Sequence, residues 1–224
     1  MSRGSRKGSR PYRMTKRSAA VEDTRQRIIE ATVTLHGTVG PAATTVMGVA
    51  EQAGVTRATV YRHFPDDTTL FEACSNHWLT QQVPPNSSEW LLYDDPFERL
   101  RVALTDLYRF YRAGESMLRR IYGDKQSLPQ KHREGLDARH EFFCQALLGP
   151  FSVSPKRRHL VRAAIGHAVE FWTWRSLCVD NGLEDRDAVE LMVGLTAAAV
   201  HPPSPRVRSR RPPASGPAPG TRAR

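Results

Sequence analysis

Between residues 22 and 200 the apolar positions return every three or four residues, the period of a helix with one buried face. No stretch alternates apolar and polar for long enough to read as paired strands, and no internal repeat is visible. The pattern therefore predicts an all-α fold. Ile28, Ala31 and Leu35 share one face of a helix over residues 22–35, and Gly40-Pro41 then turns the chain. Thr44 and Thr45 precede Val46, Val49, Ala50 and Ala53, and their hydroxyls suit a helix start. Gly54 is placed to end that helix in the left-handed conformation. Thr56 is placed to cap the next helix, on which Val60 and Phe64 point the same way. Ala50 and Ala53 are small enough for this helix to cross closely over the one before. That is a helix-turn-helix, whose second helix enters a DNA major groove. Gly48, inside the first helix of the pair, costs about 1 kcal/mol relative to alanine, and the sequence offers no reason for it.

Pro65-Asp66-Asp67 opens a further helix through Leu70, Phe71, Cys74 and Trp78, with Asp66 as cap and Asp67 at the positive end of the dipole. The run Val83-Pro84-Pro85-Asn86-Ser87-Ser88 reads as the break between two domains. Asp95, Pro96 and Glu98 then form a helix start of cap, first-turn proline and following acid. That helix carries Leu100, Leu104, Leu107, Tyr108 and Tyr111. Short helices are expected over residues 115–122 and 136–148. Ser154-Pro155 starts a long helix to about residue 179, and Ile165, Val169, Phe171, Trp172, Trp174 and Leu177 surround most of its circumference. A helix apolar on two sides has two partners. A last helix over residues 185–200 carries Leu191, Val193, Leu195 and three alanines. The expected organisation is a disordered basic arm at 1–21, a helix-turn-helix domain of three helices at 22–82, a helical domain at 83–200 and a disordered basic tail at 201–224.

The segment AGVTRATVYRHF, ending at Phe64, resembles the DNA-binding domain of the TetR family of transcriptional regulators. Thr44-Thr45 before it, Leu70-Phe71 after it and RQRIIEA at residues 25–31 strengthen the likeness, which spans roughly residues 22–82. The resemblance implies a ligand-responsive repressor acting as a homodimer on a palindromic operator. Its partners would be double-stranded DNA, a small-molecule effector and a second copy of the chain. The resemblance also implies a four-helix dimer interface from the two C-terminal helices, with Phe171, Trp174, Leu191 and Leu195 in it, and a backbone contact for Thr45. Two positions depart from the family. His36 stands where a large apolar residue is usual, and is expected to be a packed histidine with a backbone partner. Asp67 stands where a lysine usually reaches a phosphate, and reverses the charge there.

On the recognition helix, Thr56 and Tyr61 offer hydroxyls to phosphates, and Arg62 a charge. Arg57, Thr59 and His63 are placed to reach base edges, with Arg57 able to read guanine bidentately. Ala58 lies beside them; Val60 and Phe64 are core. The candidate effector site takes the aromatic and polar residues of the second domain: Tyr108, Tyr111, Met117, Tyr122, His140, Phe143, Glu170 and Trp172, with Phe142 nearby.

Charge sharpens this picture. The net charge of +10 resides in the ends: residues 1–21 carry seven Lys/Arg and no acid, and residues 201–224 carry six Arg and no acid. Those thirteen exceed the total, so residues 22–200 sum to −3, and residues 22–80 alone hold four Arg against seven acids. The charge that attracts phosphate is expected in the two ends. Three widely spaced cysteines, Cys74, Cys144 and Cys178, do not form a disulfide framework and read as buried thiols in a reducing cytoplasm. No apolar run approaches a membrane span. The basic start has no apolar segment behind it and does not read as a secretory signal. No zinc spacing, phosphate loop or catalytic pairing is present, so no cofactor, metal or enzymatic activity is expected. The alternative is an architectural DNA-binding protein without an effector, which would show a filled second domain.

Overall fold

The computed structural model describes residues 10–201, with side chains from residue 18 onward. Thr45, Thr56, Asp66 and Asp95 each accept a hydrogen bond from a backbone N–H in the turn that follows, which fixes four helix starts. The N-terminal helices are α1 (Arg10–Thr38), α2 (Val46–Ala53), α3 (Arg57–His63) and α4 (Asp67–Thr80). After them come α5 (Ser87–Trp90), α6 (Pro96–Ala113), α7 (Glu115–Gly123) and α8 (Gln130–Leu148). The chain continues through α9 (Pro155–Ala168), α10 (Phe171–Arg175) and α11 (Asp185–Val200). No strand occurs among the described residues, and the fold is all-α.

Helix α1 corrects the expected arm. Residues 10–21 are helical, not disordered. Pro11 sits in the first turn, where its missing N–H costs nothing, and no glycine or proline follows before Gly37. Arg, Met, Lys and Ala are good helix formers, and a helix nucleated by its packed half extends one residue at a time. Disorder expected at 1–9 and 202–224 falls outside the described residues. Helix α8 begins six residues ahead of its expected start, at Gln130.

Two cores organise the helices. The smaller gathers Ile28, Ile29 and Ala31 of α1, Val49, Ala50 and Ala53 of α2, Val60, Phe64, Leu70 and Cys74. The larger is built on α6, whose Leu100, Leu104, Leu107, Tyr108 and Tyr111 are almost wholly buried among α5 and α8–α11. The predicted break at residues 83–88 is a connection pinned to α6. The Asp106 carboxylate accepts from the Asn86 N–H at 2.7 Å, and Arg109 donates to the Val83 carbonyl at 3.0 Å. Helix α1 also packs against α7, so the two parts touch beyond the linker.

The expected long helix to residue 179 is broken. Glu170 has extended backbone (φ −73°, ψ 136°) between α9 and α10, and the chain runs on from Arg175 into a π-helical turn at Ser176–Asp180. The break strips the Ala168 and Val169 carbonyls of their helical donors. Two buried phenols replace them: the Tyr108 hydroxyl donates to the Ala168 carbonyl at 2.9 Å and that of Tyr111 to Val169 at 2.7 Å. Burial pushes both phenols' pKa values up, so they stay protonated donors. Asp185 ties the neighbourhood together, accepting two hydrogen bonds from Arg112 at 2.7 Å and one from the Trp174 indole at 2.9 Å. Burial works against its charge, yet those bonds hold its carboxyl below the usual range.

Removing one phenol leaves a buried carbonyl without a partner, which costs about 1–3 kcal/mol. Tyr111→Phe therefore lowers stability by that amount while keeping the helical circular-dichroism signal. Thermal or urea denaturation of the variant beside the wild type measures it, and an unchanged midpoint would show that the break does not need the hydroxyl.

Candidate nucleic-acid interface and interior cavities

The helix-turn-helix is built by local bonds. The Thr45 hydroxyl accepts from the Gly48 N–H at 3.1 Å, and the Thr56 hydroxyl from the Thr59 N–H at 3.2 Å. Gly54 closes α2 in the left-handed region (φ 64°, ψ 40°), where a side chain is strained. Helix α1 buttresses the unit from outside: Arg27 donates to the Ala53 carbonyl at 3.0 Å, and the Arg25 guanidinium lies 5.2 Å over the Phe64 ring. With Val60 and Phe64 buried, the opposite side of α3 faces solvent. Arg57, Ala58, Tyr61 and Arg62 are exposed there, and Thr59 and His63 are half-buried. Thr45 and Thr56 are exposed beside them, although both hydroxyls already serve as caps. Gly48 stays unexplained by the protein itself, since an added Cβ would meet only ordinary contacts at 3.5 and 3.9 Å.

The candidate effector residues divide between two cavities. A cavity of about 350 Å³ is walled by Tyr111, Tyr122, His140, Phe143, Glu170 and Trp172. Six of the eight candidates thus meet, and the helix break is what turns Glu170, Phe171 and Trp172 toward them. Met117 belongs to a neighbouring cavity of about 260 Å³. Tyr108 lines neither; it is a core residue holding the Ala168 carbonyl. Phe142 stands on the surface. Sequence reading missed the second cavity, because its walls come from both parts of the chain: His36, Phe71, Cys74 and Trp78 face Phe110, Met117, Leu118 and Leu136. The two cavities share Leu79, Phe110, Leu136 and Arg139.

Two interface candidates are corrected. Phe171 and Trp174 are each 1% exposed and belong to the protomer's own core: Phe171 stacks on Tyr122 and meets Tyr111 edge-on, and Trp174 packs against Tyr111 and Phe171. Leu191 and Leu195 do face outward, at 50% and 46% exposure, and Leu160 of α9 is exposed on the helix packed beside them.

His36 is packed as expected, but its partner is a thiol: Nδ1 lies 3.6 Å from the Cys74 Sγ, and the ring rests against Phe71. Burial lowers its pKa to about 4 against a partial pull from Asp124, and raises the Cys74 thiol to about 12. All three cysteines are free and buried. Cys144, His140 and Glu170 form a chain of contacts, 3.4 Å from sulfur to Nε2 and 3.3 Å from Nδ1 to carboxylate. Burial pushes the Cys144 thiol up, so this is not an activated nucleophile. No group of three or more His, Cys, Asp or Glu that could hold a metal occurs among the described residues, nor a helix long and apolar enough to cross a membrane.

The depressed His36 pKa sets a pH dependence. The unfolded chain takes up a proton below about pH 6.5 that the folded one refuses until about 4, so stability is full above 6.5 and falls as pH drops. The loss reaches about 2 kcal/mol near pH 5. His36→Phe should flatten denaturation midpoints between pH 7 and 5; curves as steep as the wild type's would place the acid-sensitive group elsewhere.

Residues 28–74 match the family described as "Bacterial regulatory proteins, tetR family". The probable acrEF/envCD operon repressor of Escherichia coli (strain K12) is 35% identical over 99 residues, which are 41% of this chain and 42% of that protein. The chain thus spans less than half the length of that relative. Among solved structures, AibR in complex with isovaleryl coenzyme A and operator DNA is similar with a TM-score of 0.55 at 22% identity, covering 77% of this chain and 97% of that one. NalD, the secondary repressor of the MexAB-OprM multidrug efflux pump in Pseudomonas aeruginosa, is similar with a TM-score of 0.52 at 21% identity, covering 80% and 97%. At those identities the likeness concerns the fold. The amino-terminal domain of this chain belongs to the TetR family.

Proposed function

We propose that this protein is a sequence-specific DNA-binding repressor that acts as a homodimer on a palindromic operator and releases it when a small molecule binds. The observation that carries the reading is helix α3: its apolar side is sunk in the small core while Arg57, Tyr61 and Arg62 stand free on the other. Arg57, Thr59 and His63 would read bases, and Thr45, Thr56, Tyr61 and Arg62 would meet phosphates. Similarity to a probable operon repressor supports repression, and likeness in fold to a protein solved with isovaleryl coenzyme A and operator DNA supports a scaffold able to take a small molecule and DNA. The two cavities favour an effector over the architectural alternative, which needs a filled second domain. A partner on chromosomal DNA would place the protein in the cytoplasm.

The dimer would form on the outer face of α9 and α11. Leu160, Leu191 and Leu195 are exposed there, and Ala163, Gly194 and Ala198 beside them are small enough for helices to approach closely. A two-fold protein matches a two-fold operator. Leu191→Glu with Leu195→Glu should yield a folded monomer in sedimentation, with operator affinity strongly reduced. A wild type that sediments only as a monomer at micromolar concentration would reject this interface.

Genomic fragments captured by the purified protein and sequenced would supply the operator. Arg57→Ala should then weaken it by about 1–3 kcal/mol and relax preference at one base position. Asp67, exposed in the first turn of α4, would repel a phosphate approaching that helix end. Asp67→Lys should tighten binding to all sequences and steepen the salt dependence by about 0.9 per added phosphate contact. Deleting residues 2–17 should do the reverse. Identical salt slopes in all three proteins would remove both Asp67 and the basic arm from the DNA backbone.

A further inference from the structure

The smaller cavity has a chemistry of its own. Its volume is about 260 Å³, and apolar side chains make most of its wall, Phe71, Trp78, Phe110, Met117, Leu118 and Leu136 among them. No Asp or Glu lines it; its ionisable side chains other than the Cys74 thiol are Lys131, Arg139, His36 and His132. Lys131 already faces the Glu72 carboxylate at 3.3 Å. Arg139 differs. It has no carboxylate partner among the described residues, and its guanidinium donates one hydrogen bond, to the Tyr122 hydroxyl at 3.0 Å. The acids of the adjoining cavity are engaged elsewhere, Asp137 with Lys125 and Glu170 with His140. A second polar group is also unmatched: His132 Nδ1 is buried with no hydrogen-bond partner. His132, Leu136 and Arg139 recur along one face of α8, with Gly135 among them, so both unmatched groups border the same space.

We propose that the effector is an apolar carboxylic acid whose carboxylate pairs with Arg139 and whose hydrocarbon body lies between α4 and α7. This rests on the effector reading above and names the ligand's class. An apolar wall takes an apolar body, and a half-buried guanidinium without a counter-charge takes a carboxylate bidentately. An ammonium ligand would meet only like charge. A phosphate dianion would keep an unmatched charge in an apolar space. His132 Nδ1 is left for a second polar atom on the acid or for water. The position also explains how such a ligand would act: one wall is α4, which starts four residues after the recognition helix ends.

Titration calorimetry on the full-length protein at pH 8 tests the assignment with three probes of equal chain length: octanoate, 1-octanol and octylamine. Octanoate should bind about tenfold or more tighter than octanol, as expected for one charge-assisted pair, and octylamine should not bind. In Arg139→Gln, octanoate should fall to the level of octanol, whose own affinity stays. Gly135→Leu places a side chain where nothing lies within 4 Å of a built Cβ and should block both probes while operator binding persists. Octylamine or octanol binding as well as octanoate, an acid preference that survives Arg139→Gln, or no binding of any probe would overturn the proposal. Operator affinity measured in the same samples separates the two readings. Octanoate that binds without releasing operator would sink the regulatory reading and leave the site; release by another ligand class alone would do the opposite.

Discussion

Helix α4 belongs to two cores at once, and the rest of the structure depends on that. Its first turns put Leu70 and Cys74 into the small core with α1, α2 and α3. Its last turns pack Trp78 and Leu79 against the large core built on α6. A helix held on both sides cannot move relative to one core without moving relative to the other. The contact between α1 and α7 adds a second brace, as does the Asp124 carboxylate, which accepts from the Ala42 N–H at 3.0 Å across the same boundary. Gly40 is fitted to that brace: its φ of 93° excludes most side chains, and an added Cβ would collide with the Asp124 carboxylate. The DNA-binding unit is therefore docked, not tethered, and the cavity lies inside the docking surface.

The larger cavity depends on the interruption between α9 and α10. The break after α9 would close if Ala168 and Val169 resumed helical bonding, which would carry Glu170 and Trp172 away from the larger cavity. Tyr108 and Tyr111 prevent this from α6 by bonding those two carbonyls. The same phenols give both carbonyls a donor in place of the helical N–H groups they lose. Asp185 fixes the far side by joining α6, α10 and α11 through Arg112 and Trp174.

What the sequence made legible is what local physics decides. The caps at Thr45, Thr56, Asp66 and Asp95 act within three residues, and all four form. The last helix, 185–200, begins and ends where its pattern says. The helix break was invisible because its cause lies about sixty residues away, in two tyrosines whose own positions read as ordinary core. Phe171 and Trp174 were misassigned to an interface for the same reason. A helix apolar all round has two partners, but the pattern does not say that both are in the same chain. The exposure of Leu191 and Leu195 needed the packing of α9 on α11 to become visible. Arg139, which borders both cavities, carries no signal in the sequence, since an arginine on a polar helix face reads as solvated until the missing counter-charge is seen.

Charge placement follows one logic throughout. Residues 22–80 hold more acid than base, so on the proposed function long-range attraction to DNA would come from the ends of the chain, while α3 would supply short-range contacts. That separation makes affinity and preference separable properties of one molecule: the ends would set a salt-dependent, sequence-blind term, and Arg57, Thr59 and His63 a sequence-dependent one. A body that is itself slightly repelled by DNA would bind only where the recognition helix fits, so the repulsion from residues 22–80 would sharpen discrimination. It also lowers the demand on a ligand. A few kcal/mol of differential affinity shifts a two-state population by the 5- to 150-fold typical of coupled sites, and a helix shared between two cores gives such a ligand something discrete to bias.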